Sequence, residues 1–305
     1  MNPIHAAGID LGGTKSEVQL FDAQWQCIDK RRDPTPATYG DLVSLLATQV
    51  QWALAQAGQA IPVGLGAAGL LYPDGTSFTA NLPVKGQPLL ADIAAAAGHS
   101  VTYVNDCRAM TLSEAIYGAG RGHRTVMGLI LGTGVGGGIV HDGKLYDGPA
   151  GTGGEFGHMP ASAEVMMGHN LPIKRCGCGR WGCTETYIAG PGIRDLAEHL
   201  MGERLSPEAM AARKDEDPEV AALWSLWLAL TADMLLTLVQ VADPDVIVLG
   251  GGLSQIDGLC DALTHALAKT QIEGFGAPLI TLAQGGDASG ARGAAMAAVG
   301  GQAHA

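Results

Sequence analysis

Three apolar segments of the chain each run directly into a cluster of glycines, and this arrangement limits the possible folds more than any other feature. The segments are predicted strands that end in the turns Gly12–Thr14, Gly132–Gly138 and Gly250–Gly252. Glycine lets the backbone turn tightly and approach a ligand closely because it has no side chain, and successive N–H groups in such a turn can bind phosphate oxygens. One turn alone could be an ordinary hairpin, but three turns at strand ends indicate a phosphate-binding site.

Between the turns, apolar periodicity predicts strands that alternate with helices. The predicted strands cover residues 4–11, 16–22, 25–31, 63–67, 101–104, 126–131, 139–140 and 246–249. The predicted helices cover residues 39–57, 89–97, 108–117, 223–241 and 291–299. A strand, a glycine turn, a second strand and then alternating strands and helices occur twice. This pattern predicts an α/β protein with two similar halves and a cleft between them.

Two glycine motifs resemble nucleotide-binding signatures without matching them. The segment from Gly8 to Lys15 resembles a Walker A loop, but its order is Gly-Thr-Lys and a strand is predicted after it. Gly132–Gly137 fits GxGxxG, but the dinucleotide motif needs a helix to begin within it, and Ile139-Val140 predicts a strand. We therefore reject the P-loop interpretation, and we favour a strand–glycine turn–strand unit over the Rossmann interpretation.

Charge and hydropathy exclude some classes of partner. The formal net charge is −12 and no Lys/Arg block occurs, which argues against nucleic acid binding. No basic region followed by an apolar run precedes Asp10, so we expect no secretory signal and a cytoplasmic protein. The apolar stretch 221–242 has Asp233 as its only charge, but Trp224 and Trp227 do not form belts at both ends. We predict a helix in the core or at a subunit contact, with no membrane partner.

Three cysteines within eight residues predict a metal site: Cys176, Cys178 and Cys183. Zinc prefers four tetrahedral nitrogen or sulfur ligands, so one more is needed, and His158 and His169 are nearby. We favour His158, since it closes the segment Glu155–His158 and would draw it against the cysteines. Nothing indicates an open coordination position, so the predicted zinc is structural. The other three cysteines are isolated, which suits a reducing compartment better than a disulfide framework.

Taken together, these motifs resemble the ROK family (repressors, open reading frames, kinases), and within it the bacterial N-acetylglucosamine kinases. The resemblance covers nearly the whole chain. The further motifs that carry it are Asn105-Asp106, Gly153–His158, Cys183-Thr184-Glu185 and Gly286-Asp287…Gly293-Ala294. It implies a two-domain actin-like ATPase fold, also called ribonuclease H-like, with a central cleft for ATP and sugar. The expected domains are a small one, residues 1–118 joined by the helix 290–305, and a larger one, residues 119–289, with the zinc-binding loop.

The resemblance also implies an activity, ATP-dependent phosphorylation of a hexose 6-hydroxyl, with N-acetyl-D-glucosamine as the first candidate and Mg²⁺ as cofactor. The family's catalytic base matches Asp106. On spacing alone Asp106 could instead cap a helix that begins at Arg108, since Asp is a favoured N-cap. The expected substrate contacts are Gly69, Asn81, Asn105, Asp106, Glu155, His158 and Glu185. The expected nucleotide contacts are Asp10, Gly12, Gly13, Thr14, Lys15, Gly132, Thr133, Gly134, Gly137, Gly250, Gly251 and Gly252. The expected zinc ligands are His158, Cys176, Cys178 and Cys183.

The sugar itself is left open by the sequence. Many family members have Ile-Pro-Gly where this chain reads Ala67-Ala68-Gly69, so glucose, mannose, fructose, N-acetylmannosamine and glucosamine stay as rival substrates. Residues 201–220 carry no recognisable signature. A sugar-responsive regulator of the same family would carry a DNA-binding segment before the first turn, and only nine residues precede Asp10. A homodimer is the expected assembly.

Overall fold

The computed structural model describes residues 3–79, 82–146 and 148–301. The chain divides into two compact units, of which unit 1 contains Met1–Gly122, Gly138–Gly154 and Gln284–Ala305. Unit 2 contains His123–Gly137 and Glu155–Ala283. The division departs from the expected domain boundaries mainly at Gly138–Gly154, which belongs to unit 1. The reason is close packing, since a Cβ atom on Gly138 would lie 3.1 Å from the Cα of Arg108.

The first part of unit 1 is a five-stranded sheet with its helices. In chain order its elements are β1 (Ala6–Leu11), β2 (Lys15–Phe21), β3 (Cys27–Pro34), α1 (Tyr39–Ala57), β4 (Val63–Ala67), β5 (Leu70–Leu71), β6 (Ser77–Phe78), α2 (Leu89–Ala97), β7 (Thr102–Asn105) and α3 (Asp106–Ile116). The sheet order is β3-β2-β1-β4-β7, while β5 and β6 form a separate two-stranded sheet. The apolar stripe of α1 packs against the sheet through Leu42, Leu46 and Val50, all fully buried.

The remaining elements build the second sheet, unit 2 and the return to unit 1. They are β8 (Thr125–Leu131), β9 (Val135–His141), β10 (Lys144–Tyr146), α4 (Ala163–Gly168), α5 (Glu185–Ile188), α6 (Gly190–Met201), α7 (Pro207–Arg213), α8 (Pro218–Ala242), β11 (Val246–Gly250), α9 (Leu259–Thr270), β12 (Leu279–Leu282) and α10 (Ser289–Val299). The sheet order is β10-β9-β8-β11-β12. Strand β9 carries the chain from unit 2 into unit 1.

Parallel pairing brings strand ends together at one edge of each sheet. In unit 1, β1 pairs with β4 and β4 with β7, so Leu11 lies beside Ala67 and Ala67 beside Asn105. In unit 2, β8 and β11 are also parallel, and Gly250 lies beside Ile130. The glycine turns and acidic residues that follow these strands are therefore collected at the carboxyl edges of the two sheets.

Helix α10 returns to unit 1 and packs there through residues without large side chains. Added Cβ atoms on Gly8 and Gly64 would lie 1.8 Å and 1.9 Å from the carbonyl oxygens of Ala291 and Ala294. An added Cβ on Gly293 would lie 1.7 Å from the Ala109 oxygen on α3. These approaches are possible only for glycine. The sequence run SGARGAAMAAV thus positions α10 between β1, β4 and α3.

A fully buried carboxylate, that of Glu114 on α3, holds the segment that leads into α10. Its two oxygens accept from the N–H of Ala119 at 2.9 Å, of Gln284 at 2.9 Å and of Gly285 at 2.7 Å, and from the Ser289 hydroxyl at 2.8 Å. Four donors offset the cost of burying the charge.

Helix α8 is long and apolar enough, by length and composition alone, to cross a membrane. Within the structure 56% of its most apolar window is buried. Trp227 is fully buried and its indole N–H donates to the carbonyl oxygen of Ile188 at 2.9 Å. These contacts explain why α8 is apolar: it is a core helix. The sequence predicts a helix in the core or at a subunit contact, and the structure shows the first of these.

Candidate active site

The first glycine turn connects β1 to β2 as a tight hairpin in unit 1. The N–H of Gly12 donates to the Lys15 carbonyl at 2.9 Å, and the Thr35 hydroxyl donates to the Gly12 carbonyl at 2.7 Å. Gly13 and Thr14 are exposed, and among the described residues no acceptor is paired with their N–H groups. The turn therefore presents two successive backbone donors to solvent, as a phosphate-binding turn requires.

Asp10, the next-to-last residue of β1, lies close to this turn. Burial, reinforced by the negative charge of Asp106, raises the pKa of Asp10 from 3.8 to about 6. A Cβ atom on Gly290 would lie 3.0 Å from the Asp10 carboxyl carbon, so only glycine lets the first turn of α10 approach it. Gly290 was not predicted as a site residue, although it lies inside the motif Gly286…Gly293. A partly buried carboxylate with a second acidic neighbour is a favourable place for a divalent cation.

Asp106 is the first residue of α3, and Asn105 is its N-cap. The Asn105 Oδ1 accepts from the N–H of Cys107 at 3.0 Å and of Arg108 at 3.3 Å. The alternative interpretation of Asp106 as the cap is therefore wrong, since the helix begins two residues earlier than expected. Burial raises the pKa of Asp106, while the Cys107 N–H opposes that shift. The Asp106 carboxylate therefore does not cap the helix, and its raised pKa makes it more basic than an exposed carboxylate.

The same edge of the sheet brings Gly69 next to Asn105. The Asn105 amide donates to the Gly69 carbonyl at 3.1 Å, and the Tyr103 hydroxyl donates to it at 2.9 Å. Gly69 has φ of 105°, and a Cβ atom there would lie 2.1 Å from the Phe78 carbonyl oxygen, so only glycine is compatible. Asn81 lies outside the described residues.

A cavity of about 250 Å³ opens beside Asn105 within unit 1. Its walls are formed by apolar side chains, two tyrosines, an asparagine and one buried arginine. The lining residues include Leu70, Tyr72, Tyr103, Asn105, Arg108, Leu145, Pro149 and Gly151. The Arg108 guanidinium donates to the Gly151 carbonyl at 2.7 Å and so fixes the wall formed by the segment after β10. Sequence reasoning missed the lining residues other than Asn105, because no local motif marks them.

The second glycine turn is shorter than predicted. It comprises Gly132–Gly134, and β9 begins at Val135 rather than at Ile139. A strand therefore follows the turn, as predicted, and not the helix that a Rossmann motif needs. The Gly132 carbonyl accepts from the Gly190 N–H at 2.8 Å. Gly137 lies inside β9, where a Cβ atom would lie 2.6 Å from the Phe156 ring. Packing thus requires glycine at position 137. The expected contact of Gly137 with nucleotide stays a prediction.

The third glycine turn follows β11 and lies next to a second cavity, of about 430 Å³, within unit 2. Gly251 has φ of 84° and lies so close to the Leu131 carbonyl that a Cβ would be 2.3 Å from its oxygen. Gly252 begins a short 3₁₀ helix and lines the cavity. The opposite wall is α7 with the residues after it, including Pro207, Ala211, Lys214 and Asp215. Part of the segment 201–220, which has no sequence signature, thus lines a cavity that sequence reasoning missed.

The cysteine cluster and His158 meet in unit 2. Ligand atoms of His158, Cys176, Cys178 and Cys183 all lie within 4.8 Å of one another. The Cys178 and Cys183 sulfurs are 3.6 Å apart, and the His158 Nδ1 is 3.5 Å from the Cys176 sulfur. A tetrahedral zinc with Zn–S bonds of about 2.3 Å would separate its sulfurs by about 3.8 Å. The donor set and its spacing fit zinc.

The other side of the His158 ring faces Glu155. Its Nε2 lies 3.7 Å from the Glu155 carboxylate, so the two ring nitrogens address a sulfur and a carboxylate. Burial raises the pKa of Cys176 to about 12 and also raises that of Cys183. Glu185 lies 3.7 Å from the Cys176 sulfur and accepts the Val135 N–H at 3.0 Å. The structure thus gathers three predicted substrate residues of unit 2, Glu155, His158 and Glu185, around the predicted metal site.

The family model described as the ROK family matches residues 6–300. The chain is 41% identical to an N-acetylgalactosamine kinase from Shewanella over 95% of both chains. It is also 41% identical to an N-acetyl-D-glucosamine kinase from Pectobacterium atrosepticum, over 95% of this chain and 97% of the relative.

Solved structures agree with this relationship. The ROK hexokinase from Thermus thermophilus matches with a TM-score of 0.86 and 30% identity over 97% of this chain and 98% of its own. A ROK glucokinase from Streptomyces griseus, solved with glucose and AMPPNP, matches with a TM-score of 0.72 and 27% identity over 95% and 97% of the two chains. The chain belongs to the ROK family and has the α/β fold of the actin-like ATPases.

Proposed function

We propose that this protein is an ATP-dependent sugar kinase that transfers a phosphoryl group to the 6-hydroxyl of a hexose, with N-acetyl-D-glucosamine as its main substrate. The observation that carries the proposal is the placement of Asp106, a partly buried carboxylate of raised pKa that does not cap its helix and lies beside Asn105 and a cavity. The relatives named as N-acetylglucosamine and N-acetylgalactosamine kinases support an amino-sugar substrate.

In this proposal Asp106 accepts the proton of the attacking hydroxyl, and Asn105 orients the sugar from the adjacent position. A general base works best when its pKa is close to the pH of the reaction. Burial moves the pKa of Asp106 in that direction, above the range of an exposed carboxyl group. Glu155, His158 and Glu185 would accept or donate hydrogen bonds to the remaining hydroxyls. Sugars that lack a matching hydroxyl would leave these partly buried partners unpaired.

The phosphates are proposed to bind the backbone donors of Gly12–Thr14 in unit 1 and of Gly132–Gly134 and Gly250–Gly252 in unit 2, with Lys15 nearby. Asp10 would hold magnesium through water. When bound, magnesium would offset the charge of the phosphates and of the two neighbouring aspartates. Zinc, when bound to His158 and the three cysteines, would tie Glu155 and His158 to the cysteine segment.

The nucleoside is proposed to occupy the cavity beside Gly252, because that cavity adjoins the third glycine turn and has a volume of about 430 Å³. Filling it with Ala211→Phe should raise the KM for ATP roughly tenfold or more, through lost base contacts. Initial rates at varied ATP and saturating sugar measure this effect. Ala209→Phe, on the same helix but outside the lining, is the control. An unchanged KM for ATP in Ala211→Phe would place the nucleoside elsewhere.

The test of substrate class is ADP release with Mg-ATP and a panel of hexoses. The panel contains N-acetylglucosamine, N-acetylgalactosamine, N-acetylmannosamine, glucosamine, glucose, mannose and fructose. We expect kcat/KM for N-acetylglucosamine to exceed that of every rival by at least about tenfold. A different winner would keep the kinase and change the sugar, with Ala67–Gly69 as the first place to examine. Binding of a sugar without turnover would favour a sugar-sensing regulator, and light scattering of the same sample would test the expected homodimer.

A further inference from the structure

Two parts of unit 2 that the proposed function treats separately, the cysteine site and the second glycine turn, share one carboxylate. Glu185 lies two residues after Cys183. One of its oxygens is 3.7 Å from the Cys176 sulfur, and the other accepts the Val135 N–H at 3.0 Å. Val135 is the first residue after the turn Gly132–Gly134. The hydrogen bond fixes the peptide that links Gly134 to Val135.

The histidine end of the cysteine site touches the same place. A Cβ atom on Gly157, next to His158, would lie 2.3 Å from the Val135 carbonyl oxygen. A Cβ atom on Gly137 would lie 2.6 Å from the Phe156 ring. Since the Gly157 backbone packs directly on the Val135 carbonyl, a shift of His158 that moves Gly157 cannot be absorbed by a rotamer change there. It must move the start of β9.

A further hydrogen bond closes the arrangement. The N–H of Gly190, which follows the short helix begun by Glu185, donates to the Gly132 carbonyl at 2.8 Å. A Cβ atom on Gly134 would lie 2.9 Å from Glu185 Oε2, so glycine is needed for the carboxylate to reach the turn. The first and last residues of the turn are both held by the segment that follows the last cysteine.

We propose that Glu185 is a positioning residue for nucleotide binding, which transmits the conformation of the metal-holding segment to the second glycine turn. The inference rests on the proposed function insofar as it takes Gly132–Gly134 to bind nucleotide phosphate. It gives Glu185 a role that is independent of sugar binding. Loss of the metal or of the Glu185 carboxylate disorders the turn Gly132–Gly134 and weakens nucleotide binding even when no sugar is present.

The test is ADP affinity in the presence of magnesium and absence of sugar, measured by calorimetry on wild type, Glu185→Ala, Glu185→Gln and Cys178→Ser. Cys178 is an exposed predicted ligand whose sulfur lies against Cys183, whereas Glu185 lies against Cys176, so its replacement removes one ligand and leaves the carboxylate in place. Loss of a hydrogen bond to a charged group corresponds to roughly a tenfold weaker Kd. We expect that loss in Glu185→Ala and Cys178→Ser, and recovery in Glu185→Gln, whose amide oxygen still accepts the Val135 N–H.

Hydrogen exchange of the Val135 amide supplies a second readout, on protein shown to be folded by circular dichroism. Exchange should be faster in Glu185→Ala and after zinc chelation than in loaded wild type. Unchanged ADP affinity and unchanged exchange, with only the sugar KM raised, would overturn the inference and leave the kinase proposal intact. If wild type bound no ADP, the proposed function would fail, and faster exchange at Val135 would still decide whether the two segments are coupled.

Discussion

Asp106→Asn should lower kcat by at least about a hundredfold and up to about ten-thousandfold, because a positioned general base contributes that range of rate. Asparagine has nearly the same shape but cannot accept the hydroxyl proton. Steady-state ADP release with the preferred sugar measures the loss. The KM values should change much less than kcat, since Asn105 and the cavity beside it are untouched.

The structure makes this substitution informative because α3 does not depend on Asp106 for its start. Asn105 supplies the cap, so the variant should unfold at nearly the wild-type temperature. Asp261→Asn is a matched control, as it removes an exposed carboxylate from the first turn of another helix, α9. Near-normal turnover in Asp106→Asn would remove Asp106 as the base and leave the site without an assigned proton acceptor.

Asp10→Asn should abolish most of the Mg-ATP-dependent turnover and yet stabilise the magnesium-free protein above pH 6. The pKa of Asp10 is raised from 3.8 to about 6 by burial and by Asp106, so the folded state holds a proton there that the unfolded chain releases. The cost of ionising Asp10 is absent below pH 4 and complete above pH 6. At about 1.4 kcal/mol per pKa unit, removing the charge stabilises the folded state by about 2–3 kcal/mol.

Thermal unfolding of both proteins without added magnesium, at pH 4 and at pH 8, measures the effect of Asp10→Asn on stability. The stabilisation should be full at pH 8 and mostly lost at pH 4, because the folded-state carboxyl is then neutral while the unfolded one, with a pKa of 3.8, is only partly ionised. Wild-type kcat/KM should correspondingly fall as the pH drops below about 6. If wild type and Asp10→Asn were equally stable at pH 8, or if the variant were less stable there, the claim that burial raises the pKa of Asp10 would be contradicted.

Local patterns were sufficient to predict most of the strands, the two long helices and the glycine turns. Helix α1 begins and ends where periodicity and Gly58 predict, and β4 has its predicted bounds. The metal cluster also follows from local spacing, since three of its ligands fall in one short loop. In each case the physical cause is short in range, a left-handed glycine or an apolar stripe, and is therefore visible in a window of sequence.

What the sequence could not predict depends on distant contacts. Gly137 has the same spacing as a phosphate-binding glycine, but the Phe156 ring explains why it is glycine. The cavity beside Gly252 needs α7, a short alanine-rich helix that carries no recognisable motif. Asn105, and not Asp106, caps α3 because β7 continues one residue further than its apolar run. Glu185 contacts both Cys176 and Val135, and the spacing of these residues in the sequence does not predict either contact.

Phosphorus NMR of a reaction that contains the wild-type protein, Mg-ATP and N-acetylglucosamine shows directly whether a phosphoryl group is transferred to the sugar and to which oxygen. We predict one new phosphomonoester for each ADP formed, with its phosphorus coupled to the two protons on carbon 6. ADP accompanied by inorganic phosphate alone, or a phosphate on another carbon, would contradict the assignment of Asp106 as the base for a 6-hydroxyl.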